Sequence, residues 1–193
     1  MASGKCGTDL TWTLDGDLNG YTLTISGTGD MWNGSKNQSG DIRNIWSNCD
    51  QMHLVEKVFI EHGVTSIGDF VFYYRSNLMS LTIPESVTYI GKGAFCNCQN
   101  LTSITIPNSV TYISEQAFLG CSGLKSIVIS DSVTYIESEA FAYCENLESI
   151  IIPDFVKSIG EKIFCGCSSL KKIYYPFGLI GKLHEGNHDK RLF

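Results

Sequence analysis

Positive charge is scarce in this chain: 14 lysines and arginines stand against 20 aspartates and glutamates, giving a formal net charge of −6 and a pI near 5.1. An acidic surface repels phosphate backbones and anionic headgroups, which argues against nucleic acid or an anionic membrane as partner. Long apolar runs are missing as well, so no segment is suited to insertion across a bilayer. Met1 to Lys5 carry no apolar signal-peptide core, and the mature form of a secreted protein begins in the same way. There is no G-x-S-x-G, no phosphate-cradling glycine loop and no pair of carboxylates set in a cleft, so catalysis has no residue-level support and neither a cofactor nor a metal is expected. What remains is the composition of a folded protein, 43% hydrophobic and 18% charged, with 193 residues compatible with one domain.

Proline is also sparse, with four residues, and all four fall at one position of an internal repeat: Pro84, Pro107, Pro153 and Pro176. The repeat is clearest in Leu101 to Gly123, LTSITIPNSVTYISEQAFLGCSG, which returns 23 residues later from Leu124 and again from Leu147. A copy from Leu78 precedes it, a worn copy starts at Val55, and a broken one starts at Leu170. Self-similarity at such a period marks a stacked architecture in which no unit buries its apolar face alone.

Aligned copies show what is to be buried. Val55, Leu78, Leu101, Leu124, Leu147 and Leu170 share one column; Val58, Leu81, Ile104, Ile127, Ile150 and Ile173 share the next; Ile60, Ile83, Ile106, Ile129 and Ile152 share a third. The resulting L-x-x-L-x-I ends in the alternation of a β-strand and is rich in β-branched residues. Proline cannot donate to a ladder, so its place just after this run marks the strand end. A second apolar pair follows, as in Val110/Ile113, then Ala117-Phe118 and its equivalents, then Cys98, Cys121, Cys144 and Cys167. The expected fold is an α/β repeat, a right-handed coil of parallel strands with a turn of helix or a tight loop near the Ala-Phe pair.

Residues 1–54 lie outside the repeat. Leu10 to Leu14 and Tyr21 to Ile25 alternate around the turn-rich Asp15 to Gly20, which predicts a β-hairpin. That hairpin is expected to cap the first strand edge, which would otherwise recruit other chains. Asn33 to Asp41 reads as a loop, and Ile42 to Met52, with Trp46, as a short helix leading into the repeats. The repeats occupy 55–175, and 176–193 form a polar tail.

The pattern L-x-x-L-x-I-P-x-x-V-T-x-I-G-x-x-A-F-x-x-C resembles the bacterial surface-antigen (BspA-like) leucine-rich repeats, and Cys6-Gly7 with Leu10-Thr11-Trp12 is similar to the opening segment of those proteins. Two departures stand out: Ser130 replaces proline in one copy, and the first copy has Glu61 for proline and Arg75 for cysteine. The resemblance implies a leucine-rich-repeat solenoid in a secreted or cell-surface bacterial protein, a non-enzymatic adhesion module that binds host proteins or other cells. Two further readings remain open: a carbohydrate-binding module using Trp12, Trp32, Trp46 or a tyrosine ladder, and a spacer within a larger surface protein.

Candidate binding residues follow from the alternation. Thr82, Thr105, Val128, Ile151 and Tyr174, with Phe59 at the head of the column, point away from the core-facing isoleucines and line the open sheet face. The column turns apolar toward the C-terminal end, as an interaction patch does. Tyr89, Tyr112 and Tyr135 share another position, read as a packing ladder on the flank and, failing the sheet face, as the alternative contact surface. The four repeat cysteines are expected to be buried thiols rather than bridges. Cys96 and Cys165 lie three rungs apart, too far to share one zinc ion. Cys6 and Cys49 either bridge in an oxidising compartment or stay free. His184 and His188 have the i, i+4 spacing of a zinc pair but lack an apolar helical context, so a solvated tail is expected.

Overall fold

The computed structural model describes residues 2–17, 20–36, 42–43, 45–46 and 49–176. Strands β1 (Ala2–Lys5), β2 (Asp9–Asp17) and β3 (Gly20–Asp30) form an antiparallel meander, with Trp12 opposite Ile25 and Leu14 opposite Leu23. The alternation read from the sequence is realised as Leu10, Trp12 and Leu14 inward and Thr11 and Thr13 outward. Gly27 permits the close crossing of β2 and β3: its φ is +110°, and a Cβ there would lie 2.1 Å from the Asp9 carbonyl oxygen.

Two short strands pair antiparallel: β4 (Ser35–Lys36), inside the stretch expected to be loop, and β5 (Ile42–Arg43), at the start of the stretch expected to be helix. The helix expected over Ile42 to Met52 is replaced by β5 and a 3-10 turn at Asp50–Leu54. Trp46 supplies the reason: its buried indole N–H donates to the Val71 carbonyl at 2.6 Å, tying the segment to the first repeat. The two cysteines of this region, Cys6 and Cys49, are both free, so no disulfide joins them.

From Val55 onward the chain climbs in rungs. β6 (Val55–Ile60) and β7 (Val64–Ile67) both pair parallel to β3, β6 with its first half and β7 with its end. Each later rung contributes one strand from L-x-x-L-x-I and one from the V-T-x-I segment: β8 (Ser80–Thr82) and β9 (Tyr89–Ile90), β10 (Ser103–Thr105) and β11 (Tyr112–Ile113), β12 (Ser126–Val128) and β13 (Tyr135–Ile136), β14 (Ser149–Ile151) and β15 (Ser158–Ile159). β16 (Lys172–Tyr174) closes the described chain. The unbroken ladder is the second one, β3-β7-β9-β11-β13-β15, parallel throughout and at 23-residue offsets from β7 onward. The L-x-x-L-x-I strands, expected to make one sheet, fall into β3-β6-β8, β10-β12 and β14-β16.

Among the described residues there is no α-helix, which corrects the α half of the expected α/β class. Around each Ala-Phe pair the backbone makes turns. The residues two before and two after the phenylalanine take positive φ: Gly93 and Asn97 flank Phe95, Gln116 and Gly120 flank Phe118, Glu139 and Tyr143 flank Phe141. These left-handed positions stop helix propagation. The N–H groups then alternate: Phe95 donates to Ala117 on the next rung, while Cys96 donates to Gly93 within its own.

The core is a set of columns. Leu101, Ile104, Ile106, Val110, Ile113 and Phe118 are all buried, as are their equivalents one rung away. Phe72, Phe95, Phe118, Phe141 and Phe164 stack face to face, with centroids 5.3 to 6.2 Å apart and planes within 15° of parallel. Trp46 continues the stack on Phe72 at 6.1 Å, and Trp12 meets Trp46 edge-on at 5.9 Å, so the N-terminal strands share one spine with the repeats. Beside the spine, the thiols of Cys98, Cys121, Cys144 and Cys167 each donate to the phenylalanine carbonyl of the preceding rung at 3.1 to 3.3 Å. All four are unbridged and buried. Burial pushes the Cys98 and Cys121 thiols well up from the ordinary range. Arg75 heads this column in place of a cysteine, and burial lowers its guanidinium from the usual value.

Candidate interaction surfaces

On the strands of L-x-x-L-x-I the exposure pattern is out, in, out, so Thr82, Thr105, Val128, Ile151 and Tyr174 all face solvent, together with Phe59. Val128 is 58% exposed, Ile151 66% and Tyr174 55%, high values for large apolar side chains. Lys57, Ser80, Ser103, Ser126, Ser149 and Lys172 flank them and are also exposed. Register places Phe59 opposite Thr82, Thr105 opposite Val128 and Ile151 opposite Tyr174. Val128 and Ile151 sit on adjacent rungs but on different strand pairs, so the apolar end of the column straddles a seam in the sheet. Phe155 adds to this end of the molecule. It is 67% exposed, at a position where earlier copies carry Gly63, Ser86, Ser109 and Ser132. The sequence held that signal, since a phenylalanine replaces small residues at one repeat position.

The tyrosines stand on the continuous ladder. Tyr112 and Tyr135 are direct neighbours with ring centroids 6.2 Å apart, and Tyr89 precedes them. Tyr89 and Tyr135 are exposed and Tyr112 half-buried. Loss of hydration, with the Glu137 carboxylate as acceptor and neighbouring charge, pushes the Tyr112 hydroxyl up to about 12. Alongside runs a column of side chains bonded from rung to rung. Lys92 pairs with Glu115 at 2.6 Å, Gln116 donates to Glu139 at 2.7 Å, and Glu137 accepts the Glu115 N–H at 3.0 Å.

Two of the tryptophans considered for sugar stacking are unavailable, because Trp12 and Trp46 are buried in the aromatic spine; Trp32 is exposed. Cys96 is buried and Cys165 half-buried, and neither is bridged. Among the described residues no group of His, Cys, Asp or Glu side chains has the arrangement of a metal site. His184 and His188 lie outside the described residues. No helix of the described chain is long and apolar enough to cross a membrane.

Stacked parallel rungs, a shared phenylalanine spine and an open, solvent-facing strand column define a stacked-repeat protein. The family model for the BspA type leucine rich repeat region matches residues 43–180 in 6 copies, and the chain belongs to that family. Among solved structures it is similar to a leucine rich cell surface protein from Faecalibacterium prausnitzii, with 25% identity, a TM-score of 0.52 and coverage of 91% of this chain and 55% of that one. A leucine-rich repeat protein from Bacteroides ovatus has the same fold at 21% identity and a TM-score of 0.59, covering 87% and 52%. The leucine rich repeat protein of T. pallidum has it at 19% identity and a TM-score of 0.58, covering 98% and 99%. The chain thus spans about half the length of the first two. No curated protein sequence gives a significant match.

Proposed function

We propose that this chain is a non-enzymatic protein-binding module of a secreted or cell-surface bacterial protein, and that its partner is a protein on a host surface or in the extracellular matrix. The observation that carries this reading is the exposed apolar end of the sheet column at Val128, Ile151 and Tyr174. The fold does not require apolar residues there, since Thr82 and Thr105 occupy the same column and leave the core columns unchanged. Apolar side chains held on rigid strands lose little entropy when a partner covers them, and central aromatic or branched anchors usually carry most of an interface's affinity. The similarity to a cell surface protein supports the location.

In this reading residues 1–54 cap the first rung, with the hairpin of β2 and β3 closing a right-handed coil, residues 55–175 present the binding face, and 176–193 form the tail. The cap's role rests on β3, which gives its outer edge to β2 and pairs through its inner edge with β6 and β7. A spacer role within a longer protein predicts no partner for the isolated chain. The test is capture from an extracellular-matrix extract by the intact chain, beside a variant with Val128, Ile151 and Tyr174 changed to serine. Retention of the same protein by both would refute the assignment of this face.

A further inference from the structure

We propose that the notch beside Tyr135 is a binding site for an arginine side chain presented by a partner polypeptide. This site lies on the flank and does not rest on the sheet-face reading. The tyrosine column runs Ser66, Tyr89, Tyr112, Tyr135, Ser158 on successive rungs, with Ser66 opposite Tyr89 and Ser158 opposite Tyr135 in the ladder. Tyr112 lies against one side of Tyr135. On the other side the column continues with a serine, too short to reach the ring, and the space a tyrosine would fill is left open. The result is a cavity of about 260 Å³ that runs from Tyr112 and Glu115 past Tyr135 and Glu137 to Ser158 and Gly160. Tyr135 is 44% exposed beside it.

Glu137 gives the notch its selectivity. Its carboxylate accepts the Glu115 N–H and the Tyr112 hydroxyl, both neutral donors, and among the described residues no cation pairs with it, since Lys92 is taken by Glu115. An aromatic face beside an uncompensated carboxylate suits a group that is planar, cationic and a donor along its edge. A guanidinium stacks its face on the ring while its N–H groups reach the carboxylate. An ammonium is a point charge that lacks this planar match. A neutral sugar ring would stack but leave the carboxylate's charge unbalanced. The chain's net charge of −6 favours the approach of a basic segment over an acidic one.

The test is a nitrogen-15 NMR titration of the full chain with Nα-acetyl-arginine amide, and separately with methyl β-glucopyranoside, at constant ionic strength. The expected result is a saturable shift from the arginine derivative confined to residues around Tyr135, Glu137, Ser158 and Gly160. Glu137→Gln, which keeps an acceptor for the Glu115 N–H, should weaken binding about tenfold because the acceptor loses its charge. Ser158→Tyr, which extends the ladder into the notch, should abolish binding with the rest of the spectrum intact. The sheet-face triple variant should bind as the parent does. The proposal is overturned if no saturable shift appears at these residues, if Glu137→Gln leaves affinity unchanged, or if the glucoside saturates the notch and arginine does not.

Discussion

Phe95 and Phe118 lie with ring centroids 5.3 Å apart and planes 8° from parallel, although 23 residues separate them in sequence. The offset is one repeat, and the same relation recurs up the molecule, so each inner ring lies between the rings of the rungs above and below. This is why a single copy has no core. Phe118→Ala should therefore open a cavity in the middle of the stack and cost about 3–5 kcal/mol. Reversible denaturant unfolding measures it, and a loss below about 1 kcal/mol would mean the spine contributes little to stability.

Lys162 gives a prediction of opposite sign. It is exposed and has φ +56°, a conformation that disfavours side chains, while Gly93 fills the equivalent place on an earlier rung. Lys162→Gly should relieve that strain and, after the extra freedom given to the unfolded chain, stabilise by about 0.5–1 kcal/mol. A lower denaturation midpoint for this variant would contradict the assigned turn.

The thiols divide by burial. Cys49 and Cys165 are half-buried, whereas Cys6, Cys96, Cys98, Cys121, Cys144 and Cys167 are buried, and burial pushes Cys6 up to about 12. Thiolates are the reactive form. At pH 8 an alkylating reagent should label Cys49 and Cys165 first and the other six only on unfolding, read by peptide mass spectrometry. Early labelling of Cys121, or a bridge from Cys98 to Cys121, would refute the buried-thiol column.

Tyr112 should make stability fall at high pH. Its hydroxyl titrates near 12 in the folded chain, against about 10 for a free tyrosine. Between those values the unfolded chain releases a proton that the folded chain retains, so stability declines as pH rises through that window. Tyr112→Phe should flatten that decline in chemical denaturation run across the same pH range; an unchanged slope would remove Tyr112 as its source.

Much of this fold was legible because the repeat displays each core position several times over. The buried columns from Leu101 to Phe118 come directly from stacking like residues on like, and the β2–β3 alternation marks the hairpin. The turns at Gln116 and Glu139 were not legible, since neither residue type announces a positive φ and the alignment shows glycine on only some rungs. Nor was the division of the strand face, because rung-to-rung hydrogen bonding has no signature in residue type. The segment at Trp46 escaped for another reason: it is fixed by a contact to Val71 and by packing on Phe72, both distant in sequence. In the candidate surfaces, Val128, Ile151 and Tyr174 follow from alternation, whereas the Tyr135 notch depends on Ser158 following three tyrosines in the ladder.

The most direct test of the binding role compares the intact chain with the Val128, Ile151 and Tyr174 to serine variant against one partner captured from extracellular-matrix extract, by surface plasmon resonance with both proteins verified as folded. Loss of the anchors at an interface centre is expected to weaken affinity at least about tenfold, on the order of 1.4 kcal/mol or more. Equal affinities for the two proteins would contradict the assignment of the sheet face as the binding surface.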